Sequence, residues 1–284
     1  MIAQKREQGY ALIIALMSMI LFALMALTMI NATRGTVIMA SAEIDRARLS
    51  AAADAGFALA LQGLLTRDAA QRWSIAGQPR QIAFDDMMLT ITIEDERGKI
   101  AINLINKAQA EIMFQAFGLS GGPLEEAVDG FLDWRDEDFT PRLRGAEDDA
   151  YASQKIRPRN GPLKSIGELA LIKGIGPALA TRIAPYASVN FGINGDFDPR
   201  FSTPIAIRVS ADSDAGSASD ELALGRAIKG DKVAIELGAV PSLVGRPLTV
   251  NVEAMRGETA KLRRKIIVEL TGAPIRPYVV RARE

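Results

Sequence analysis

The sequence predicts an α+β fold in which a long N-terminal helix, partly transmembrane, packs on an antiparallel sheet that carries a large inserted α-helical domain. Three observations predict it. Residues 10–30 contain no Asp, Glu, Lys or Arg, and a helical pattern continues beyond them. Strict alternation, expected of a half-buried strand, appears at Leu89-Thr90-Ile91-Thr92-Ile93-Glu94 and returns far downstream at Leu248-Thr249-Val250-Asn251-Val252-Glu253. Between them the chain reads as short helices interrupted by Gly and Pro, so a helical unit is inserted within a sheet domain.

Taken in order, residues 1–9 are a short charged leader with Lys5, Arg6 and Glu7. At about 1.5 Å per residue, the roughly 20 apolar residues of the span make a helix about 30 Å long, the thickness of a bilayer's hydrocarbon core. A secretory signal peptide would have a shorter apolar stretch followed by a small-residue cleavage site. Lys5 and Arg6 favour a cytoplasmic N-terminus, which places everything after Ile30 on the other side. Leu49, Ala53, Phe57, Ala60 and Leu64 then recur at helical spacing, and no Pro intervenes between Met1 and Ala76. The pattern predicts one helix from about Tyr10 to Leu65, its upper half rich in Ala so that a sheet or another helix can approach closely.

The first strands complete a unit over residues 31–106, and the helical insert occupies residues 107–189. Residues 190–284 return to the sheet, with strands around Ile266, Val268 and Leu270 and a closing edge strand after Pro277-Tyr278. Within 190–246 the pattern supports a polar loop from Ser210 to Asp220 and a short helix near Glu221 to Ile228.

Composition narrows the function. The 284 residues are 48% hydrophobic with a formal net charge of zero, enough for one large or two modest cores but without the basic field that nucleic acid requires. Cys and His are both absent, which removes thiolate and imidazole metal sites, Ser-His-Asp triads and Cys-His nucleophiles. A metal would have to be held by oxygen.

Two stretches carry candidate chemistry. Asp133, Asp136, Asp138, Glu147, Asp148 and Asp149 gather carboxylates in two short windows, and loop carboxylates at such spacing can supply several of the roughly six to eight oxygens that calcium takes. Arg135, Arg142 and Arg144 are interleaved with them, so an internal ion-pair network is favoured over calcium. A hydrolase using a carboxylate pair such as Asp133 and Asp136 is a weaker reading. The second stretch, Leu169 to Ala180, has a helix-hairpin-helix pattern: Gly174 and Gly176 permit the turn, Ile175 plugs between the helices and Ala180 lets them approach. Such a turn can hold a phosphate on free amides, or it can be a purely structural αα-hairpin.

The segment Gly9-Tyr10-Ala11-Leu12-Ile13-Ile14 behind a basic leader resembles the type IV prepilin class, whose members are cut after that Gly by a membrane aspartyl peptidase. Most such subunits carry a Glu where this chain has Ile14, and the departure is typical of the minor pseudopilin K of type II secretion. Asp133-Trp134-Arg135-Asp136-Glu137-Asp138, then Gly145-Ala146-Glu147-Asp148, Tyr151 and Pro158-Arg159-Asn160-Gly161-Pro162, resemble the same general secretion pathway protein K family. The upstream Glu96-Arg97-Gly98-Lys99-Ile100 matches its entry into the insert. One stretch departs from it, since after Gly192-Ile193-Asn194 only the short beginning of a helix is present, at Ser202 to Ala206.

The resemblance implies a type IV pilin-like fold and a non-enzymatic, structural role. The expected function is that of a minor pseudopilin at the tip of the type II secretion pseudopilus, starting filament assembly and aiding export of folded proteins across the outer membrane. The expected partners are the minor pseudopilins I and J, the prepilin peptidase acting at Gly9-Tyr10, the inner-membrane secretion platform and membrane lipid. The expected location is the inner membrane, single-pass, with a periplasmic C-terminal domain and a methylated mature terminus. No cofactor is expected apart from calcium at the acidic windows. The alternative is a minor pilin of a type IV pilus or DNA-uptake system, touching DNA through Gly174, Ile175 and Gly176.

Overall fold

The computed structural model describes residues 4–68, 70–191, 197–210 and 242–283. The loop expected after Ser210, the short helix expected at 221–228 and the Gly192-Ile193-Asn194 segment lie outside them. Helix α1 (Gln4–Leu65) runs unbroken for 62 residues, as the absence of Pro and the apolar pattern require. Its stretch Tyr10–Met29 has a mean hydropathy of 2.6 and is not buried by the rest of the chain, whereas Leu49, Ala52, Ala53, Ala60, Leu61 and Leu64 are buried. One helix thus has two halves, an apolar and exposed one below and one packed on a protein core above.

The upper half of α1 packs on a five-stranded antiparallel sheet of order β1-β2-β5-β6-β7: β1 (Arg80–Phe84), β2 (Met87–Asp95), β5 (Pro247–Arg256), β6 (Ala260–Leu270) and β7 (Tyr278–Arg283). Alternation decides the face. Leu89, Ile91 and Ile93 of β2 pair in register with Ala254, Val252 and Val250 of β5, and all six point at the helix and are buried. Burying each large aliphatic side chain contributes about 1.5–3 kcal/mol. A Cβ on Gly56 would stand 2.6 Å from Val252 Cγ1, so helix and sheet touch through a residue that has none. Strand β1 has almost no buried face and was not expected; β7 is an edge strand, as expected.

Between β2 and β5 the chain leaves the sheet. The two-residue strand β3 (Ile100–Ala101) pairs in parallel with β4 (Ala187–Ser188), closing a unit made of α2 (Lys107–Ala116), α3 (Gly121–Arg135), α4 (Asp148–Tyr151), a 3-10 helix at Ile166–Leu171 and α5 (Gly176–Ile183). Asn106 and Gln109 form a capping box that starts α2. This unit has its own core, with edge-on ring pairs Phe114–Phe131 and Trp134–Tyr151 at 5.9 and 5.4 Å. The core reaches past residues 107–189, taking in Ile100, Ile102 and Ile105 before them and Ala206 and Val209 of α6 (Pro204–Ser210) after them. The short helical start expected at Ser202 to Ala206 is realised as this seven-residue helix.

The two units have a defined polarity. Arg256 bridges Asp45 of α1 and Asp86, just before β2, while Gly56 lies against Leu89 and Ile91. Helix α1 and β2 therefore climb together, and the insert leaves β2 at the end of the sheet farthest from the apolar span.

Candidate functional site

The six expected acids do not act as one group. Asp133, in the last turn of α3, is fully buried and accepts from the amides of Arg142 (3.1 Å) and Ala146 (2.8 Å) and from Arg142 Nη1. A Cβ on Gly145 would lie 1.8 Å from Asp133 Oδ2, so the loop folds over this carboxylate at a glycine. Asp133 is a structural clamp, which is the ion-pair reading. Asp148 and Asp149 lie exposed on α4 and are not among the carboxylates that gather.

Asp136, Asp138 and Glu147 come together, with one carboxylate oxygen from each within 4.8 Å of the others. Arg142 reaches Asp136 Oδ2, and Thr140 N donates to Asp138 Oδ1 at 2.8 Å. Asn160, in the left-handed conformation at φ 45°, donates from Nδ2 to the Asp138 carbonyl at 2.7 Å and to Glu147 Oε2 at 3.4 Å. Among the described residues, three buried oxygens remain without a donor: Asp136 Oδ1, Glu147 Oε1 and Asn160 Oδ1. An unsatisfied buried acceptor costs about 1–3 kcal/mol, more when charged. Burial, and then the charge of Asp133, push the Glu147 carboxyl above its ordinary value against the Asn160 hydrogen bond. All the free positions are acceptors, which is what a hard cation requires and what a hydrogen-bond network does not. In sequence Asn160 is only part of a turn; its role depends on the fold.

The hairpin turn packs one side on α3 and leaves Gly174 and Pro177 at the surface. A Cβ on Gly174, at φ 81°, would lie 2.7 Å from Ala127 N and 2.8 Å from Glu126 C, so the turn is seated on the backbone of α3. The amides of Ile175 and Gly176 both donate to Ile172 O. Lys173 pairs with Glu126 at 3.6 Å and Arg182 lies over the Phe117 ring. Ile175, Leu179 and Ala180 are buried, as the plug-and-approach pattern predicts. The hairpin braces α3 and offers no free amide of Ile175 or Gly176 to a phosphate.

A second buried acidic group stands where the insert meets the sheet, and sequence reasoning missed it. Glu96 accepts from Ser188 Oγ, from Thr249 Oγ1 (2.7 Å) and from Lys99 Nζ (2.6 Å). Burial raises its carboxyl, but the charge of Lys99 and these donors hold it below the ordinary value. Arg246 is shared by Asp95 and by Asp198, the latter at 2.8 Å, and Arg200 also grips Asp198, which is held at about 2. Every carboxylate here has a donor. The partners are as many as 153 residues apart, so no local pattern announces them.

At the other end of the molecule, Gly9 and Tyr10 lie within α1. Tyr10 and Ile14 are largely exposed on the apolar span.

An apolar, exposed N-terminal helix that carries a sheet above it and a helical insert at the far end defines a pilin-like fold with one helix long and apolar enough to cross a membrane. A chain of the solved GspK-GspI-GspJ complex from the type 2 secretion system of enterotoxigenic Escherichia coli has this fold, with a TM-score of 0.55 at 14% identity, covering 89% of this chain and 98% of that one. Residues 90–191 match the family described as type II secretion system protein K. The type II secretion system protein K of Klebsiella pneumoniae is 29% identical over 205 residues, covering 64% of this chain and 62% of that protein. Its counterpart from Pectobacterium carotovorum subsp. carotovorum is 26% identical over 229 residues, 69% of each chain. The aligned part thus spans about three fifths of the Klebsiella relative. Family model, relatives and fold all point the same way, to a likeness with protein K of type II secretion.

Proposed function

We propose that this chain is a minor pseudopilin at the tip of the type II secretion pseudopilus, where it starts filament assembly and helps move folded proteins across the outer membrane. It acts by assembly, without catalysis. The observation that carries the reading is Ile14, together with the insert's position at the end farthest from the span. A carboxylate at that depth costs about 2.5–3.5 kcal/mol and is tolerable when a neighbouring subunit's terminal amine pairs with it. A subunit with Ile14 has no such carboxylate to offer a subunit above, and a bulky insert is free of collisions only at a filament's end.

On this reading the prepilin peptidase removes residues 1–9, Tyr10 becomes the mature terminus and is methylated, and the helix stays in the inner membrane, next to lipid and the secretion platform, with the sheet and insert in the periplasm. Pseudopilins I and J are the neighbours, as in the complex that shares this fold. Leu49 and Leu64 face the chain's own sheet, so the neighbours meet the opposite side of α1, where Ile44, Ala51, Ala58 and Leu65 lie exposed at seven-residue intervals. Photo-crosslinkers at Ile44, Ala51 and Ala58 should trap I and J rather than a second copy, and immunogold should mark one filament end. Label spaced along the shaft would overturn the tip assignment. Intact mass of the membrane-extracted protein should begin at Tyr10, and Gly9→Ala should leave the leader in place.

We propose further that Asp136, Asp138 and Glu147, with the Asn160 amide oxygen, hold calcium. Its charge would answer the three orphaned oxygens and tie the loop after α3 to the start of α4.

A further inference from the structure

The insert and the sheet leave a cleft of about 610 Å³ between them, within the range of about 300–1,000 Å³ usual for sites that bury a ligand, and such sites favour the seam between two units. Ile75, Ala76 and Phe201, which belong to the sheet's core, line it from one side. Phe117 and Tyr186 of the insert, their ring centroids 5.5 Å apart, line it from the other. Four charged residues also line it, and three of them are answered within the chain. Glu94 and Lys99 pair at 2.8 Å, Lys99 also reaches Glu96 at 2.6 Å, and Asp95 is held by Arg246. The fourth is Arg182, exposed in the last turn of α5 and 5.9 Å from the centroid of the Phe117 ring. Its guanidinium has no ion pair and no hydrogen bond among the described residues.

The one unanswered charge in the cleft is therefore positive, and the ring beside it keeps it next to apolar surface. A guanidinium presents its donors in a planar fork that matches a carboxylate. The ligand that completes this lining has an apolar group for the rings and a carboxylate for Arg182. At about 1.5 Å per residue, α1 carries this end of the sheet roughly 50 Å beyond Met29, out of reach of a lipid that stays in a bilayer. A polypeptide supplies both groups from adjacent residues. We infer that the cleft receives an acidic segment of another protein, with an apolar side chain against Phe117 and Tyr186 and an Asp or Glu carboxylate on Arg182.

A fluorescein-labelled synthetic hexapeptide of alternating Asp and Leu, titrated into the full-length chain in non-ionic detergent, tests this by fluorescence anisotropy. Saturable binding is expected, and Arg182→Gln should weaken it about 10-fold or more, the loss of one charge-assisted contact. Arg182 is solvent-facing, so the replacement should leave the melting temperature unchanged. Arg46→Gln, at an exposed arginine lower on α1, should not alter binding. A photo-reactive leucine in the peptide should label Phe117, Thr181 or Tyr186. No saturable binding up to millimolar peptide, equal binding of a Lys-Leu or an Asp-Ser hexapeptide, indifference to Arg182→Gln, or label elsewhere in the chain would overturn the inference. Displacement of the peptide by octanoate at equal concentration would assign the cleft to a small carboxylate and overturn it as well.

Discussion

The junction between insert and sheet and the loop after α3 each gather carboxylates out of water, but they resolve the cost differently. At the junction, Asp95, Glu96 and Asp198 are matched by Arg246, Lys99, Arg200 and two hydroxyls. At the loop, Arg142 answers Asp133 and one oxygen of Asp136, whereas Asp136 Oδ1, Glu147 Oε1 and Asn160 Oδ1 have no donor among the described residues. A matched cluster is architecture, held by charges that the fold itself supplies. An unmatched one is a site, because its shortfall has a sign and a size that an external ion can fit.

The largest effect should come from unmatching the junction. Arg246→Met leaves Asp95 without its cation and Asp198 with Arg200 alone, and breaking a buried pair costs about 3–5 kcal/mol. Denaturant unfolding of the detergent-solubilised chain measures it. A loss under about 1 kcal/mol would mean that the junction is not held by these charges.

Matching the loop should have the next largest effect. With calcium about 100-fold above its dissociation constant, the native state should gain about 2.7 kcal/mol over chelator, and Glu147→Gln should abolish the gain. Magnesium should do less, since it demands tighter octahedral geometry. Two single carboxylates, Glu147 and Asp198, should also answer acid in opposite ways. The folded Glu147 carboxyl lies above its ordinary value, so in chelator the native state binds the extra proton and stability falls as pH rises through that window. Asp198 lies below its ordinary value, so its contribution is full above the usual carboxylate range, declines as pH falls through that range and is gone once pH has fallen through about 2. Equal melting in calcium and chelator, with no gain on mild acidification, would make the loop another ion-pair network.

The smallest effect belongs to Asp148 and Asp149. Changing both to Asn should alter stability by less than about 0.5 kcal/mol and leave the calcium response intact. A lost response would return them to the site.

Legibility tracked the range of the interactions. Helix α1 was readable because its pattern and its lack of Pro are local, and β2, β5 and β6 because each has one buried face whose alternation survives in sequence. Strand β1 was not, since Arg80, Gln81, Ala83 and Phe84 are exposed on an edge and carry no period. The acidic windows were visible as composition, but their division among clamp, cup and exposed turn depends on where Gly145 folds over Asp133 and where Asn160 arrives. The junction was invisible because Asp95 and Arg246 meet across 151 residues.

That separation has a kinetic side. Strands β2 and β5 are hydrogen-bonded neighbours, so the sheet can close only after its two halves find each other across the whole insert. The entropy of such a closure grows by about 0.6 kcal/mol for each doubling of loop length, and distant pairings of this kind slow folding far more than they weaken the product. The parallel pair β3–β4 shortens the search. Once the insert has formed, Ile100 and Ala187 sit one strand spacing apart, about 4.8 Å, and most of the intervening chain no longer counts as loop.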